Sequence, residues 1–289
     1  MSDDKPNPSL ELFDKELIGK RLAFQKNSKD NFIFDIVIDD LHERLAPIKR
    51  KFKNALIMGA DPKLLPKTSV SAISEISFKR VSTLLETKGF LNVDTENLKL
   101  PKNNYDLIVS LLDLQMINNV PKFLKEVRLS LAPDGLLLIG AIGGSSLVEL
   151  RTAWLKADEE MIGGAYARVA PFIDVKAGGN LLQNAGFALP MADIDHHKVR
   201  YSSSYNLMKE IKAFGASNPL KQKPNKPISK SHLACACGIY EEMFSDDDGR
   251  IRASLDILWL SGWATHESQQ KPLKPGSAQV SLTKILKEK

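Results

Sequence analysis

The sequence predicts an α/β protein built on a doubly wound, mostly parallel sheet, and three observations carry that prediction. Asp106–Leu112 and Leu136–Ile142 are near-continuous apolar runs, the signature of strands covered on both faces. Between them Val120, Phe123, Leu124, Val127 and Leu131 recur at helical spacing behind Pro121, which is placed at a helix start. Strand, amphipathic helix and strand in this order make a βαβ unit, and strands alternate with helices over the first 190 residues or so.

In chain order, residues 1–10 read as a loose tail and Leu12 to about Arg50 as helical, in two segments. Ala55–Met58, closed by Gly59, is a first buried strand. Val70–Ser74 and Phe90–Val93 are read as the second and third, with a short helix over Lys79–Leu85 between them. After the βαβ unit come helices over Leu147–Met161 and Phe172–Ala185, a strand over Leu189–Val199, and a helix over Leu207–Phe214. The loop Asn218–Lys230, rich in Pro and Lys, leads to a helix over Leu233–Phe244, the turn Asp246-Asp247-Asp248-Gly249 and a last strand ending at Trp263. The implied organisation is an N-terminal helical segment (1–50), the sheet core (51–200), a helical insert (201–250), and the last strand with a C-terminal tail (251–289). No internal repeat is present.

Composition bounds the function classes. The chain of 289 residues is 43% hydrophobic and 26% charged, an ordinary globular balance. Its net charge of +5 is modest. Lys221, Lys223, Lys226 and Lys230 share one loop, and Lys284, Lys287 and Lys289 lie in the tail, so the excess reads as solvated loops or as contact with an acidic partner or an anionic membrane surface. Nothing points to nucleic acid. Cys235 and Cys237, the only cysteines, are two apart on a helix, unsuited to a disulfide or a zinc site, and read as small core residues. The start of the chain is acidic and polar, unlike a signal or transit peptide, and no stretch has the length of a membrane span. A reducing cytoplasm is the expected compartment. His196 and His197 point to opposite faces of a strand and no His-x-Asp/Glu pair is present, so no metal site is predicted and no hydroxylase mechanism follows from these residues.

An open α/β sheet binds its ligand at the carboxyl ends of its strands. The first strand ends in Gly59, Glu75 lies sixteen residues on where a ribose-binding acid is expected, and Asp94 follows the third strand, as an adenine contact or an Asx-type turn. Tyr105–Ser110, Asn118 and Leu131-Ala132-Pro133-Asp134-Gly135 resemble the class I S-adenosylmethionine-dependent methyltransferases. Phe13-Asp14, Gly143-Gly144, Glu149-Leu150-Arg151, Pro171-Phe172, Ala185-Gly186-Phe187 and the block Gly262–Gln269, Pro272 and Gly276–Ala278 narrow the likeness. They are similar to the branch of methyltransferase-like complex I assembly factors regarded as protein arginine hydroxylases, near the malonyl-carrier-protein methyltransferases of biotin synthesis.

The resemblance implies a Rossmann-like class I methyltransferase fold. Its sheet has seven strands, six parallel and the last antiparallel, with helices on both faces and a helical insert before the last strand. It implies S-adenosyl-L-methionine as cofactor, held by Gly59, Glu75, Asp94 and Leu111, with Tyr166 in a lid and Arg151 and His266 toward substrate. The implied partner is a protein, a respiratory complex I subunit, with peripheral membrane contact and no fixed oligomeric state. The cofactor loop departs from the pattern: of its glycines only Gly59 survives, Ile57 replaces an acid, and Asp61 and Lys63 stand near expected glycines. Pro66 cuts short the helix that follows, and Gln115-Met116 replaces the His-Trp of relatives. These departures predict weakened or lost cofactor binding. They leave a scaffold without catalysis, or a small-molecule or carrier-protein O-methyltransferase, as alternatives to a protein-modifying enzyme.

Overall fold

The computed structural model describes residues 11–24, 32–222 and 227–269. Residues 1–10, Lys223, Lys226, the tail lysines, Pro272 and Gly276–Ala278 lie outside the described residues. The sheet consists of β1 (Ala55–Gly59), β2 (Thr68–Val70), β3 (Glu75–Ser82), β4 (Leu91–Asn92), β5 (Tyr105–Leu111), β6 (Leu131–Gly143), β7 (Ala188–Tyr201) and β8 (Ile251–Trp263). Their spatial order is β2-β3-β1-β5-β6-β8-β7, with β4 beside β3. β1 runs parallel to β3 and β5, β5 to β6, and β3 to β4, while β8 is antiparallel to both neighbours. Apart from β2, this is the class I methyltransferase sheet.

Side chains of the central strands alternate between two cores, as strand geometry requires. Leu56, Met58, Ile108, Leu137 and Ile139 pack beneath α3 (Val120–Ser130) and α5 (Val175–Asn184). Ala55, Ile57, Leu107, Val109, Leu136 and Leu138 pack against Val37, Leu41 and Leu45 of α2 (Phe32–Leu45). Helices therefore cover both faces. The Asn119 side chain caps α3 by accepting from Lys122 N at 3.1 Å, and Pro121 stands in the first turn, where its missing N–H costs nothing. Asp174 caps α5 in the same way through Ala177 N. Phe123, Leu124 and Val127 on α3 are almost wholly buried, worth about 1.5–3 kcal/mol each relative to exposure.

Three sequence expectations need correction. The Val70–Ser74 strand is instead a hairpin: β2 turns at Ser71–Ser74, where Ser71 Oγ bonds both the amide and the carbonyl of Ser74, and pairs antiparallel with β3. The sheet thus has an eighth strand. The Lys79–Leu85 helix does not exist, because Ile76, Phe78 and Val81 are inward-facing residues of β3 and the charged Lys79 and Arg80 fall between them. No helix forms between β1 and β3, where Pro66 sits, or between β3 and β4.

β7 and the start of β8 extend beyond the end of β5, and a helical cap packs on this arm. Leu150, Ala153 and Trp154 of α4 (Val148–Ile162), Leu207 of α6 (Ser204–Ala213), and Ala236 and Tyr240 of α7 (Lys230–Phe244) form its core against Ile251 and Ala253. The insert helices α6 and α7 thus sit on α4 and the arm. Ser203 and Ser229 cap α6 and α7 through Asn206 N and His232 N. Cys235 and Cys237 are free thiols on α7. The short α1 (Lys15–Phe24) completes the described residues near the ligand-binding edge of the sheet.

Candidate functional site

The carboxyl ends of the parallel strands form one edge, with Gly59 of β1 in register with Ser82 of β3 and Leu111 of β5, and Leu111 with Gly140 of β6. Over this edge the chain lays its own N-terminal segment. Asn118 clamps the Phe13 backbone, accepting from its N–H at 2.8 Å and donating to its carbonyl at 3.2 Å. Phe13 also bridges Leu220 in the loop after α6. Lys15 meets the Glu96 carboxylate at 3.0 Å, and Glu96 in turn accepts from the amides of Asn118 and Asn119. Phe13, Ile18, Leu84, Ala170, Leu220 and Met116 pack together under this roof.

Beside the roof lies a cavity of about 230 Å³. Ile18 and Leu22 of α1, Phe34 of α2, Ala60, Leu112 and Gln115 beyond β1 and β5, Phe172, and Leu207 and Ile211 of α6 contribute to its walls. Most polar groups on the walls have partners. Arg168 Nε and Nη2 bond the wholly buried Asp158 at 2.9 and 2.5 Å, and its guanidinium lies 4.9 Å above Trp154. His232 Nε2 stands 3.0 Å from the same carboxylate but is not aligned for a hydrogen bond. Ser254 Oγ donates to Glu149, and Ser146 Oγ to the Gly143 carbonyl. The Tyr201 hydroxyl is bonded to Glu210, and burial together with that carboxylate pushes its pKa well above the usual phenol range. Gln115 donates to the Leu112 carbonyl at 2.6 Å, but its buried Oε1 has no partner. The cavity is therefore largely apolar, with Gln115, Arg168 and Glu210 among the few polar residues that line it.

Gly144 shapes the neighbouring turn. It adopts φ +54°, and a Cβ there would stand 2.6 Å from Asp256 Oδ2, the atom that accepts Ser145 N at 2.7 Å. The other Asp256 oxygen is 2.7 Å from His196 Nδ1.

The residues expected from sequence are only partly brought together. Gly59 and Leu111 are neighbours at the ligand edge. Asp94 lies at that edge, but its carboxylate binds Glu96 N and the Asn97 amide in its own turn, with Lys15 4.0 Å away. These partners hold its pKa below the usual value against the opposing effect of burial. Glu75 opens β3 instead of following it, so it sits exposed at the opposite end of the sheet, paired with Val70. A ribose there would be far from Gly59, and Glu75 is removed from the site. His266 also lies away from the site, for a different reason: β8 runs antiparallel, Trp263 pairs with Leu136 at the start of β6, and His266 follows at that far edge. Arg151 is close, donating to the Ala170 carbonyl at 3.0 Å, and Ala170 lines the cavity. Tyr166 is 45% exposed, its N–H bonded to Asp158, and it is not among the cavity residues, whereas Arg168 two positions on is.

Sequence reasoning missed Asp113. It follows β5, is 3% exposed, accepts from Thr83 Oγ1 at 2.8 Å, and leaves Oδ2 without a partner. Burial, opposed by Thr83 and by the charge of Lys15, raises its pKa to about 7. A lone carboxylate ending an otherwise apolar strand was the available signal. Glu210, far off in α6, had none.

S-adenosyl-L-methionine, the group this fold implies, needs a partner for its ribose and a clear approach to the loop after β1. A ribose diol calls for a carboxylate at the end of β3, and Ser82 and Thr83 stand there with both hydroxyls committed to protein atoms. Leu65 lies against Gly59, where a Cβ would stand 2.9 Å from its Cδ2. The residues present do not fit the cofactor. Among the described residues no group of three or more His, Cys, Asp or Glu is placed to hold a metal ion.

Fold and edge define a class I methyltransferase-like protein, and residues 68–139 match the family described as "Methyltransferase domain". The arginine-hydroxylase NDUFAF5 of Rattus norvegicus, a mitochondrial protein, is 32% identical over 288 residues, spanning 95% of this chain and 83% of its own. The malonyl-[acyl-carrier protein] O-methyltransferase of Halorhodospira halophila is 26% identical over 85% of this chain and 86% of its own. The solved structure of YcgJ from Bacillus subtilis superposes with a TM-score of 0.48 at 10% identity, covering 80% of this chain and 99% of that one. The chain belongs to the NDUFAF5 family of methyltransferase-like proteins.

Proposed function

We propose that this chain recognises an arginine-bearing segment of a protein partner, a complex I subunit, and receives the arginine side chain in the cavity between α1, α6 and the carboxyl ends of β1 and β5. The observation that carries the reading is the cavity's chemistry. Its apolar walls suit the aliphatic stem of arginine. Among its few polar residues is Glu210, whose carboxylate suits a guanidinium that has five donors and no acceptor. A carboxylate has about four acceptor sites, so Glu210 can serve Tyr201 and a ligand together. The relatives whose names carry arginine hydroxylase align over nearly the whole chain, which supports an arginine-bearing protein over a carrier-protein thioester.

Arg168 lines the same cavity, but its charge is balanced by Asp158, and that pair fixes the 163–170 loop through Tyr166 N. The loop thereby serves as the rigid side of the entrance, with Tyr166 at its surface. Among the described residues no helix is long and apolar enough to cross a membrane.

Fluorescence anisotropy with labelled peptides from complex I subunits tests the proposal. Peptides with arginine should bind, and the same peptides with lysine or citrulline in its place should bind at least tenfold more weakly. Equal affinity for all three would overturn it.

A further inference from the structure

We infer that the S-adenosylmethionine cleft of this chain is closed into a structural joint, and that the protein holds neither S-adenosylmethionine nor its demethylated product. The inference is separable from the arginine reading: it turns on the loop after β1 and the end of β3, although Ile18 and Met116 of the roof also line the cavity.

Four observations carry it. In an open α/β sheet the ligand sits over the carboxyl ends of the strands, and the loop that leaves β1 faces the end of the neighbouring β3. Here the two stay joined: Thr83 N donates to the Gly59 carbonyl at 3.0 Å, and beyond the strand ends Leu85 N donates to the Ala60 carbonyl at 3.1 Å. Ser82 Oγ adds bonds to the Ala60 and Leu85 carbonyls from a fully buried position.

Leu65 supplies the second observation, lying 2.9 Å from the position of a Cβ on Gly59 and so filling the approach that the lost glycines would have kept clear. Thirdly, the acid that would bind the ribose is absent from the end of β3. The acid nearest in space, Asp113, is turned to Thr83 and buried with it, while Asp94 is spent on its own turn. The fourth observation is the roof, which places Phe13, Ile18, Leu84 and Met116 over this edge. A sulfonium cation with a zwitterionic tail and a ribose diol would meet hydrocarbon there, and burying such groups without partners is strongly unfavourable.

The joint also accounts for the missing helices: β1 leaves through Asp61-Pro62 into a loop that ends at Pro66, and Arg80 ties that loop back by donating to the carbonyls of Pro62 and Leu65 at 3.2 Å each.

Three measurements on the full chain test this. Equilibrium dialysis against labelled S-adenosylmethionine and S-adenosylhomocysteine, up to millimolar concentration, should show no saturable uptake. Small molecules released by denaturing the purified protein should contain neither compound. Amide hydrogen exchange at Thr83 and Leu85 should be slow and unchanged by millimolar S-adenosylmethionine. Stoichiometric co-purified cofactor, saturable binding in the micromolar range, or a change in exchange at those two amides on adding cofactor would overturn the inference. The arginine-peptide assay can succeed or fail in either case, so the two readings are separable.

Discussion

Replacing Asp113 by Asn keeps the shape of a buried side chain and removes its ionisation, which makes this carboxyl the sharpest probe of the closed edge. Its pKa is about 7 in the folded protein against 3.8 unfolded, because burial penalises the charged form. The sign follows from linkage: between these two values the folded state holds a proton that the unfolded state has lost, so stability falls as pH rises through the window and levels off above pH 7. A shift of about three pH units at 1.36 kcal/mol per unit is about 4 kcal/mol. Wild type should lose little from this group by pH 4 and about 4 kcal/mol by pH 8, while Asp113→Asn loses none of it. The assay is urea unfolding of both proteins at half-unit steps from pH 4 to 8.5. The difference in stability between variant and wild type should move in favour of Asn by roughly 3–4 kcal/mol across the range, whatever constant offset the amide introduces. A pH-independent difference would mean that Asp113 is already charged and balanced by a cation, and the closed-joint argument would lose its buried carboxyl.

Other consequences follow from the same contacts. Arg168→Met strands the wholly buried Asp158 charge and should cost about 3–5 kcal/mol in unfolding free energy, whereas pairing it with Asp158→Asn should recover much of the loss. Glu210→Gln should weaken arginine-peptide binding roughly 10- to 100-fold, the value of about 1.5–3 kcal/mol for a charge-assisted hydrogen bond, with circular dichroism unchanged. Glu75→Ala and His266→Ala, both at the far end of the sheet, should leave peptide affinity within about twofold of wild type and shift stability by less than about 0.5 kcal/mol; a larger loss of affinity in either would show that the site lies elsewhere.

The parts of this structure legible in the sequence are those where burial repeats at a fixed period. The runs at Asp106–Leu112 and Leu136–Ile142 and the helical spacing of Val120, Phe123, Leu124 and Val127 gave the βαβ centre, because both faces of those strands meet helices. The adjacent charges of Lys79 and Arg80 hide β3: on an edge-proximal strand one of them is exposed and the other reaches sideways to the Pro62 and Leu65 carbonyls, while Ile76 and Phe78 are buried on one face and Val81 on the other, so no simple alternation appears. Reading a strand over Val70–Ser74 and a helix over Lys79–Leu85 places Glu75 at the end of a strand, whereas it begins β3 at the opposite edge of the sheet. His266 was misplaced for want of strand direction, since a residue after an antiparallel strand lies opposite to one after its parallel neighbours. The loss of glycines around Gly59 did forecast a changed cofactor loop. What surrounds Gly59 — Leu65, Thr83, Asp113 and the Phe13 roof — depends on contacts between residues up to about a hundred positions apart, which no local pattern records.

The central claim, that this methyltransferase-fold protein works on an arginine-bearing complex I subunit through its apolar cavity, is tested most directly in the cell. Quantitative mass spectrometry of complex I subunits would compare cells carrying the intact chain, cells lacking it, and cells carrying Glu210→Gln. The account predicts that an arginine modification present with the intact chain disappears on deletion and falls sharply with Glu210→Gln. Unchanged arginine side chains and fully assembled complex I in the deletion would contradict it.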